Sequence, residues 1–131
     1  MENAIRLTCL VLEPVALVAE DLVAIIEDTL PGTPVFVAPT AEVALESLRE
    51  RRIDIAFVNL SPLELARSGL VERLDEIGAT LVVLGHEVAA KGVRHRVLEL
   101  PFVSGAVALE LMTALRRLRR RRTTPEGLGR A

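Results

Sequence analysis

The chain has 131 residues, half of them hydrophobic, with 2 % aromatic side chains and neither Trp nor Tyr. This length suits one domain with one core, and the scarcity of aromatic rings argues against a single-strand nucleic-acid binder that stacks bases. The net charge of −2 is unevenly distributed. Residues 1–115 carry nine Arg or Lys against seventeen Asp or Glu, a net −8, whereas residues 116–131 carry seven Arg against one Glu, a net +6.

Apolar runs that predict buried strands alternate with segments of helical spacing. The strands are predicted at 7–12, 35–38, 53–58, 81–84 and 97–100. The helices are predicted at 15–30, at 41–51 after an N-cap at Thr40, from 61 to about 77, and from 104 to 118, with a short helix over 87–91 left open.

Each predicted helix has a candidate core face. In the first helix this face comprises Val15, Val18, Leu22, Ile25, Ile26 and Thr29. In the third it comprises Leu63, Leu70, Leu74 and Ile77, in a helix that Gly69 interrupts. In the last it comprises Val107, Leu111, Ala114, Leu115 and Leu118.

This alternation predicts an α/β fold with right-handed crossovers. We expect a five-stranded parallel sheet of order 2-1-3-4-5 with helices on both faces. One domain is expected over residues 1–122, followed by a disordered basic tail over 123–131. The chain lacks a membrane-spanning run and a signal-peptide pattern, and its one cysteine, Cys9, allows no internal disulfide, so we predict a cytoplasmic protein.

Four runs in this order resemble the response-regulator receiver domain. They are Glu13-Pro14 before a helix, 38–45 at the entry to the second helix, 52–59 leading to Asn59, and 98–102 around Leu100-Pro101. The resemblance covers about residues 6–118. It implies a stand-alone protein of bacterial two-component signalling whose partners are a histidine kinase, a phosphotransferase or another signalling protein, or a second copy.

The resemblance also implies a set of site positions at the carboxyl edge of the sheet. A working receiver has two acids after strand 1, an aspartate nucleophile after strand 3, a Ser or Thr after strand 4 and a Lys after strand 5. Here the acid pair aligns with Val11-Leu12, with Glu13 one place beyond. The remaining three positions hold Asn59, Gly85 and Leu100, followed by Pro101, whose peptide bond we expect to be cis.

These replacements predict a pseudo-receiver that is not phosphorylated and is not an enzyme. An amide cannot attack phosphorus, Leu100 cannot neutralise phosphoryl charge, and Glu13 with Asn59 makes a poor Mg²⁺ site. We predict no bound metal, and no cofactor because the glycines form no phosphate-binding loop. Two alternatives stay open: a phosphoacceptor with a degenerate site, and binding of nucleic acid or another anionic partner by the arginine tail.

Several residues have both a structural and a functional interpretation. Asn59 either caps its strand or is a polar switch. His86 is either an exposed loop residue or one that senses pH or binds a metal, and we interpret His95 as solvated. The arginine tail either favours the helix dipole or binds an anionic partner. We predict an interaction surface on the first and last helices, comprising Leu17, Val23, Ala24, Leu111 and Leu118.

Overall fold

The computed structural model describes residues 6–85, 96–98 and 104–123, which contain five strands and five helices. The strands are β1 (Cys9–Leu12), β2 (Val35–Ala38), β3 (Ile55–Val58), β4 (Thr80–Leu84) and β5 (Arg96–Leu98). The helices are α1 (Ala16–Thr29), α2 (Ala41–Glu50), α3 (Pro62–Ser68), α4 (Leu70–Ile77) and α5 (Ser104–Thr123).

The five strands form one parallel sheet in the order β2-β1-β3-β4-β5, which confirms the predicted topology. Strand β1 lies between β2 and β3, so that Cys9 pairs with both Val35 and Ile55. Because the strands are parallel, their carboxyl ends meet at one edge of the sheet.

Successive side chains along each strand enter two separate cores, because a strand exposes alternate residues to opposite faces. On one face, Cys9, Val11 and Phe57 pack with α1 and α5. On the other face, Leu10 and Leu12 pack with α2, α3 and α4. All four residues of both β1 and β3 are buried, as expected of central strands covered on both sides.

The segment predicted as the third helix forms two helices, because Gly69 interrupts it with φ of +84°. Helix α3 begins with a capping box between Ser61 and Glu64 and has proline at its first turn. The change of direction leaves Leu63 59 % exposed, so its prediction as a core residue is wrong. Leu70 and Leu74 are buried as predicted.

Two further predictions need correction at element ends. Val15 precedes the first turn of α1 and is 53 % exposed, so it is not part of the core, whereas Ala19 is buried in its place. Strand β5 is described over Arg96–Leu98 and so begins one residue earlier than predicted, while residues 99 and 100 lie outside the described part. The helix left open at 87–91 also lies outside it.

Helix α5 extends to Thr123, five residues beyond the last predicted core position. Within the described residues, no helix is both long enough and apolar enough to cross a membrane.

Candidate functional site

The candidate site lies where β1 and β3 end, side by side, at the carboxyl edge of the sheet. The backbone N–H of Glu13 donates to the carbonyl of Ala38 at 3.1 Å, and the N–H of Asn59 donates to the carbonyl of Leu12 at 2.8 Å. These two bonds extend the ladder by one residue on each strand. They therefore hold Glu13 and Asn59 on adjacent backbone segments, 46 residues apart in sequence.

The side chains of Glu13 and Asn59 are joined by a direct hydrogen bond. Asn59 Nδ2 donates to Glu13 Oε1 at 2.7 Å, and the backbone N–H of Val15 donates to Glu13 Oε2 at 2.9 Å. Glu13 is only 2 % exposed. A buried carboxylate needs hydrogen-bond donors to replace water, and here each of its oxygens has one.

This arrangement fixes the orientation of the amide. An ionised carboxylate accepts hydrogen bonds and donates none, so the Asn59 NH₂ group faces Glu13 and the amide oxygen faces away. An amide nitrogen has no accessible lone pair with which to attack phosphorus, and it does not ligate Mg²⁺. The contact therefore holds a carboxylate in place and directs no nucleophile towards the solvent.

No cluster of three or more His, Cys, Asp or Glu side chains able to hold a metal ion occurs among the described residues. Of the three residues that compete for the acid-pair position, Val11 and Leu12 are buried on opposite faces of the sheet. Glu13 alone of the three places a carboxylate at the carboxyl edge. Its two oxygens already accept from Asn59 and Val15, so about half of their acceptor capacity is used by the protein itself.

Gly85 follows β4 at the same edge of the sheet. Its N–H donates to the carbonyl of Leu98 at 2.7 Å, and its φ is +72°, a conformation that favours glycine. The position therefore has no hydroxyl with which to contact an anion, and its backbone conformation disfavours a Ser or Thr there. The predictions for His86, His95, Leu100 and Pro101 fall outside the described residues.

The structure divides the predicted interaction surface. Leu17 is 73 % exposed, Ala24 is exposed and Val23 is half-buried. By contrast, Leu111 and Leu118 are 0 % and 4 % exposed and belong to the core shared with α1. Their assignment to a surface is wrong, because the face of α5 that repeats at helical spacing is the one that packs on the sheet.

A groove lies between α1 and the edge strand β2. It has a volume of about 450 Å³, and we call it the α1–β2 groove. Its apolar floor includes Val23, Ala24 and Val37, and Glu20 and Glu27 lie at its rim. The sequence analysis identified the helix half of this groove but missed Val37, which is 48 % exposed because β2 has a neighbour on one side only.

Arginines at the end of α5 contact the opposite edge of the sheet, where the strands begin. Arg117 Nη1 donates to Thr80 Oγ1 at 2.9 Å. The guanidinium group of Arg121 packs on Gly78, which ends α4 in a left-handed conformation, and so lies near the carbonyls of that helix end. Part of the arginine run therefore contacts the domain itself, an interaction that charge counting alone did not predict.

The Glu13–Asn59 contact was also missed, although the sequence contained a signal for it. The predicted strand order places β1 beside β3, so the residues after these strands are neighbours. A carboxylate and an amide at such positions form a donor–acceptor pair.

Comparison with known proteins identifies the fold. No protein-family model and no curated protein matches the chain. Among solved structures, the signal receiver domain of an HD domain-containing protein from Pseudomonas fluorescens is 20 % identical, with a TM-score of 0.72 over 95 % of this chain and 98 % of that one.

Two further structures agree with this result. A response regulator from Thermotoga maritima is 20 % identical, with a TM-score of 0.66 over 85 % of this chain and 98 % of that one. A CheY-like receiver domain from Methylobacillus flagellatus is 16 % identical, with a TM-score of 0.66 over 84 % and 99 %. The chain therefore has the fold of a response-regulator receiver domain.

Proposed function

We propose that this protein works in bacterial two-component signalling by binding other proteins, without being phosphorylated at the receiver site and without catalytic activity of its own. Its partners would be a histidine kinase, a phosphotransferase or another signalling protein. The fold supports the signalling role, since the similar solved structures are receiver domains. The chemistry of the site supports the independence from phosphorylation.

The hydrogen bond between Asn59 and Glu13 carries this proposal. In a phosphoacceptor site, carboxylates are held close together so that a divalent cation can neutralise them and position the phosphoryl group. Here the Asn59 amide donates to the Glu13 carboxylate at 2.7 Å, at the position where the resemblance expects a nucleophilic carboxylate. Each oxygen of the buried Glu13 carboxylate already has a hydrogen-bond donor, so the carboxylate does not need a metal ion to replace its lost hydration.

Gly85 and Leu100 also argue against phosphorylation at this site. The transferred group has charge on three oxygens, and catalysis depends on donors and cations placed around them. Gly85 offers no side-chain donor, and the apolar Leu100 follows the fifth strand where the resemblance expects a lysine. With a donor, a cation and a nucleophile all replaced, restoring one of them is not expected to restore the reaction.

The first experiment measures phosphorylation. The native chain is incubated with Mg²⁺ and acetyl phosphate, and its intact mass is recorded over time. We expect no gain of the roughly 80 Da that one phosphoryl group adds. A phosphorylatable receiver domain treated in parallel shows that the reagent is active, and a labelled native chain would overturn the proposal.

The second experiment measures partner binding. The native chain is used for affinity capture from its host, beside a variant in which Leu17 and Val23 are changed to Glu. We expect a two-component signalling protein to be captured by the native chain and lost with the variant. Capture that excludes every kinase, phosphotransferase and receiver would contradict the signalling role, whatever the outcome of the phosphorylation assay.

A further inference from the structure

Charge and apolar surface are arranged on this molecule as two complementary faces. The first is the α1–β2 groove. Along α1, Glu20, Val23, Ala24 and Glu27 follow the i, i+3, i+4, i+7 spacing of a single helix face, so two carboxylates flank an apolar centre. Helix α1 contains four acidic residues and no basic one.

The second is an exposed stripe on α5, which we call the α5 face and define by Leu109, Met112 and Arg116. Leu109 is 54 % exposed, Met112 is 38 % exposed and Arg116 is exposed. The three residues follow i, i+3, i+7 spacing and therefore share one side of the helix. After Glu110, α5 contains no acidic residue and five arginines before Arg122.

The two faces match in dimension as well as in charge. Leu109 and Arg116 are seven residues apart, and so are Glu20 and Glu27, a separation of about 10 Å along a helix. With Leu109 and Met112 over Val23 and Ala24, a helix lying along the groove brings Arg116 to one of the rim carboxylates. The exposed Val37 on β2 extends the apolar floor.

A molecule cannot fill its own groove with its own α5 face. Helix α1 packs against α5 on one side and lines the groove on the other, towards β2. Strands β2 and β5 form opposite edges of the sheet, and α5 is joined to β5 by the ion pair between Arg96 and the buried Glu110. An α5 face that binds in the groove must therefore belong to another molecule.

We propose that the α1–β2 groove of one copy binds the α5 face of a second copy. The contact is heterologous, because two different surfaces meet, and it differs from a two-fold pairing of one face with itself. This assembly goes beyond the proposed signalling role, and Glu13 lies in the lining of the same groove. A contact between one groove and one stripe of a helix is small, and small interfaces are weak, so we expect it to form at high chain concentration.

Mixing two variants tests this geometry. The groove variant carries Glu20→Arg and Glu27→Arg, and the face variant carries Leu109→Glu and Arg116→Glu. All four positions are exposed or partly exposed, so both chains are expected to fold, which circular dichroism and thermal melting check. The matched control is Leu17→Glu, an exposed α1 position that does not line the groove.

Self-association is measured by light scattering and sedimentation at about 200 μM, a concentration that detects weak complexes. We expect the native chain and the Leu17→Glu control to self-associate, and each of the two variants alone to do so at least about tenfold more weakly. The 1:1 mixture is expected to recover association, because the groove variant keeps the α5 face and the face variant keeps the groove.

Four outcomes would overturn the proposal. A native chain that is monomeric at this concentration would show that a second copy does not fill the groove. Variants that associate as the native chain does would place the contact elsewhere. One variant that associates as the native chain does, beside one that does not, would indicate a symmetric contact of one face with itself, and variants that fail both alone and when mixed would show that the two faces do not bind each other. A native chain labelled by acetyl phosphate would affect the proposed function and leave this inference intact.

Discussion

The substitution Asn59→Asp tests whether the hydrogen bond from Asn59 stabilises the buried Glu13 carboxylate. In the native chain, Asn59 Nδ2 lies 2.7 Å from Glu13 Oε1, and Glu13 is buried. The substitution replaces the donor with a second carboxyl group at the same place. The folded chain must then accept either two negative charges in contact or one proton shared between two carboxyl groups.

The loss of folding stability is set by whichever of these two states has the lower free energy. Two charges about 3 Å apart repel by about 5 kcal/mol at an effective dielectric constant of about 20. Protonating one ordinary Asp carboxyl, of pKa about 3.9, costs about 4 kcal/mol at pH 7. The hydrogen bond between the protonated and ionised groups offsets part of this, so we expect Asn59→Asp to lower the free energy of unfolding by about 2 to 4 kcal/mol at pH 7.

The dependence on pH has a definite sign. The folded variant holds a proton that its unfolded chain releases, so the pKa of the introduced carboxyl is raised by folding. The variant is therefore least destabilised relative to the native chain below about pH 4, and the difference grows as the pH rises, by up to about 1.4 kcal/mol per pH unit. Urea unfolding at pH 5 and pH 7 measures this difference.

The double variant Glu13→Gln/Asn59→Asp is the matched control. It exchanges donor and acceptor: the amide at position 13 donates to the carboxylate at position 59, and its oxygen accepts from the N–H of Val15. We expect its stability to fall within about 1 kcal/mol of the native chain at both pH values. A single variant as stable as the native chain at pH 7, or equally destabilised at pH 5 and pH 7, would refute the reasoning.

Three other predictions follow from particular residues. Burial raises the pKa of the Cys9 thiol to about 12, and the nearby Asp54 acts in the same direction. Iodoacetamide at pH 8 should therefore label the chain only in urea, and rapid labelling of the folded chain would contradict the burial of Cys9. Gly69 has φ of +84°, so Gly69→Ala should lower the free energy of unfolding by about 1 kcal/mol, whereas Gly105→Ala in the first turn of α5 should be neutral or stabilising. Equal effects of the two substitutions in thermal melts would show that backbone conformation is not the cause. Leu111→Ala should lower the free energy of unfolding in urea by about 2 to 5 kcal/mol, whereas Leu17→Ala should lower it by less than about 0.5 kcal/mol. The reverse order would show that Leu111 is exposed and not part of the core.

The fold was predictable because strand periodicity, turn residues and chain order all constrain it. The runs around Leu10 and Ala56 are apolar on both faces, which indicates central strands, and parallel crossovers then leave few possible topologies. The helix positions were less secure. The pattern placed Leu63 in the core, but a positive φ at Gly69 redirects the chain, and spacing along one ideal helix cannot express that change.

The sequence predicted which residues lie at the candidate site, but it did not predict the hydrogen bond between them. The end of β3 indicated Asn59, and the end of β1 indicated Glu13, each from its own local sequence. Their hydrogen bond depends on side-chain rotamers and on which end of the amide faces the carboxylate, and neither is visible in a pattern of residue types. Assigning Leu111 and Leu118 to a surface was an error of a different kind, since their helical spacing already placed both residues on the core face of the last helix.

The arrangement of the two cores has a consequence for synthesis on the ribosome. Among the described residues, the core beneath α2, α3 and α4 draws on no position after Val83. The core beneath α1 needs a group of five α5 residues to complete it: Val107, Leu111, Ala114, Leu115 and Leu118. A nascent chain that has emerged only as far as β4 therefore holds every described residue of one core, while the core around Phe57 and Val11 has its α1 side chains and still lacks those of α5. Apolar surface that awaits α5 at that stage is of the kind that a chaperone would bind.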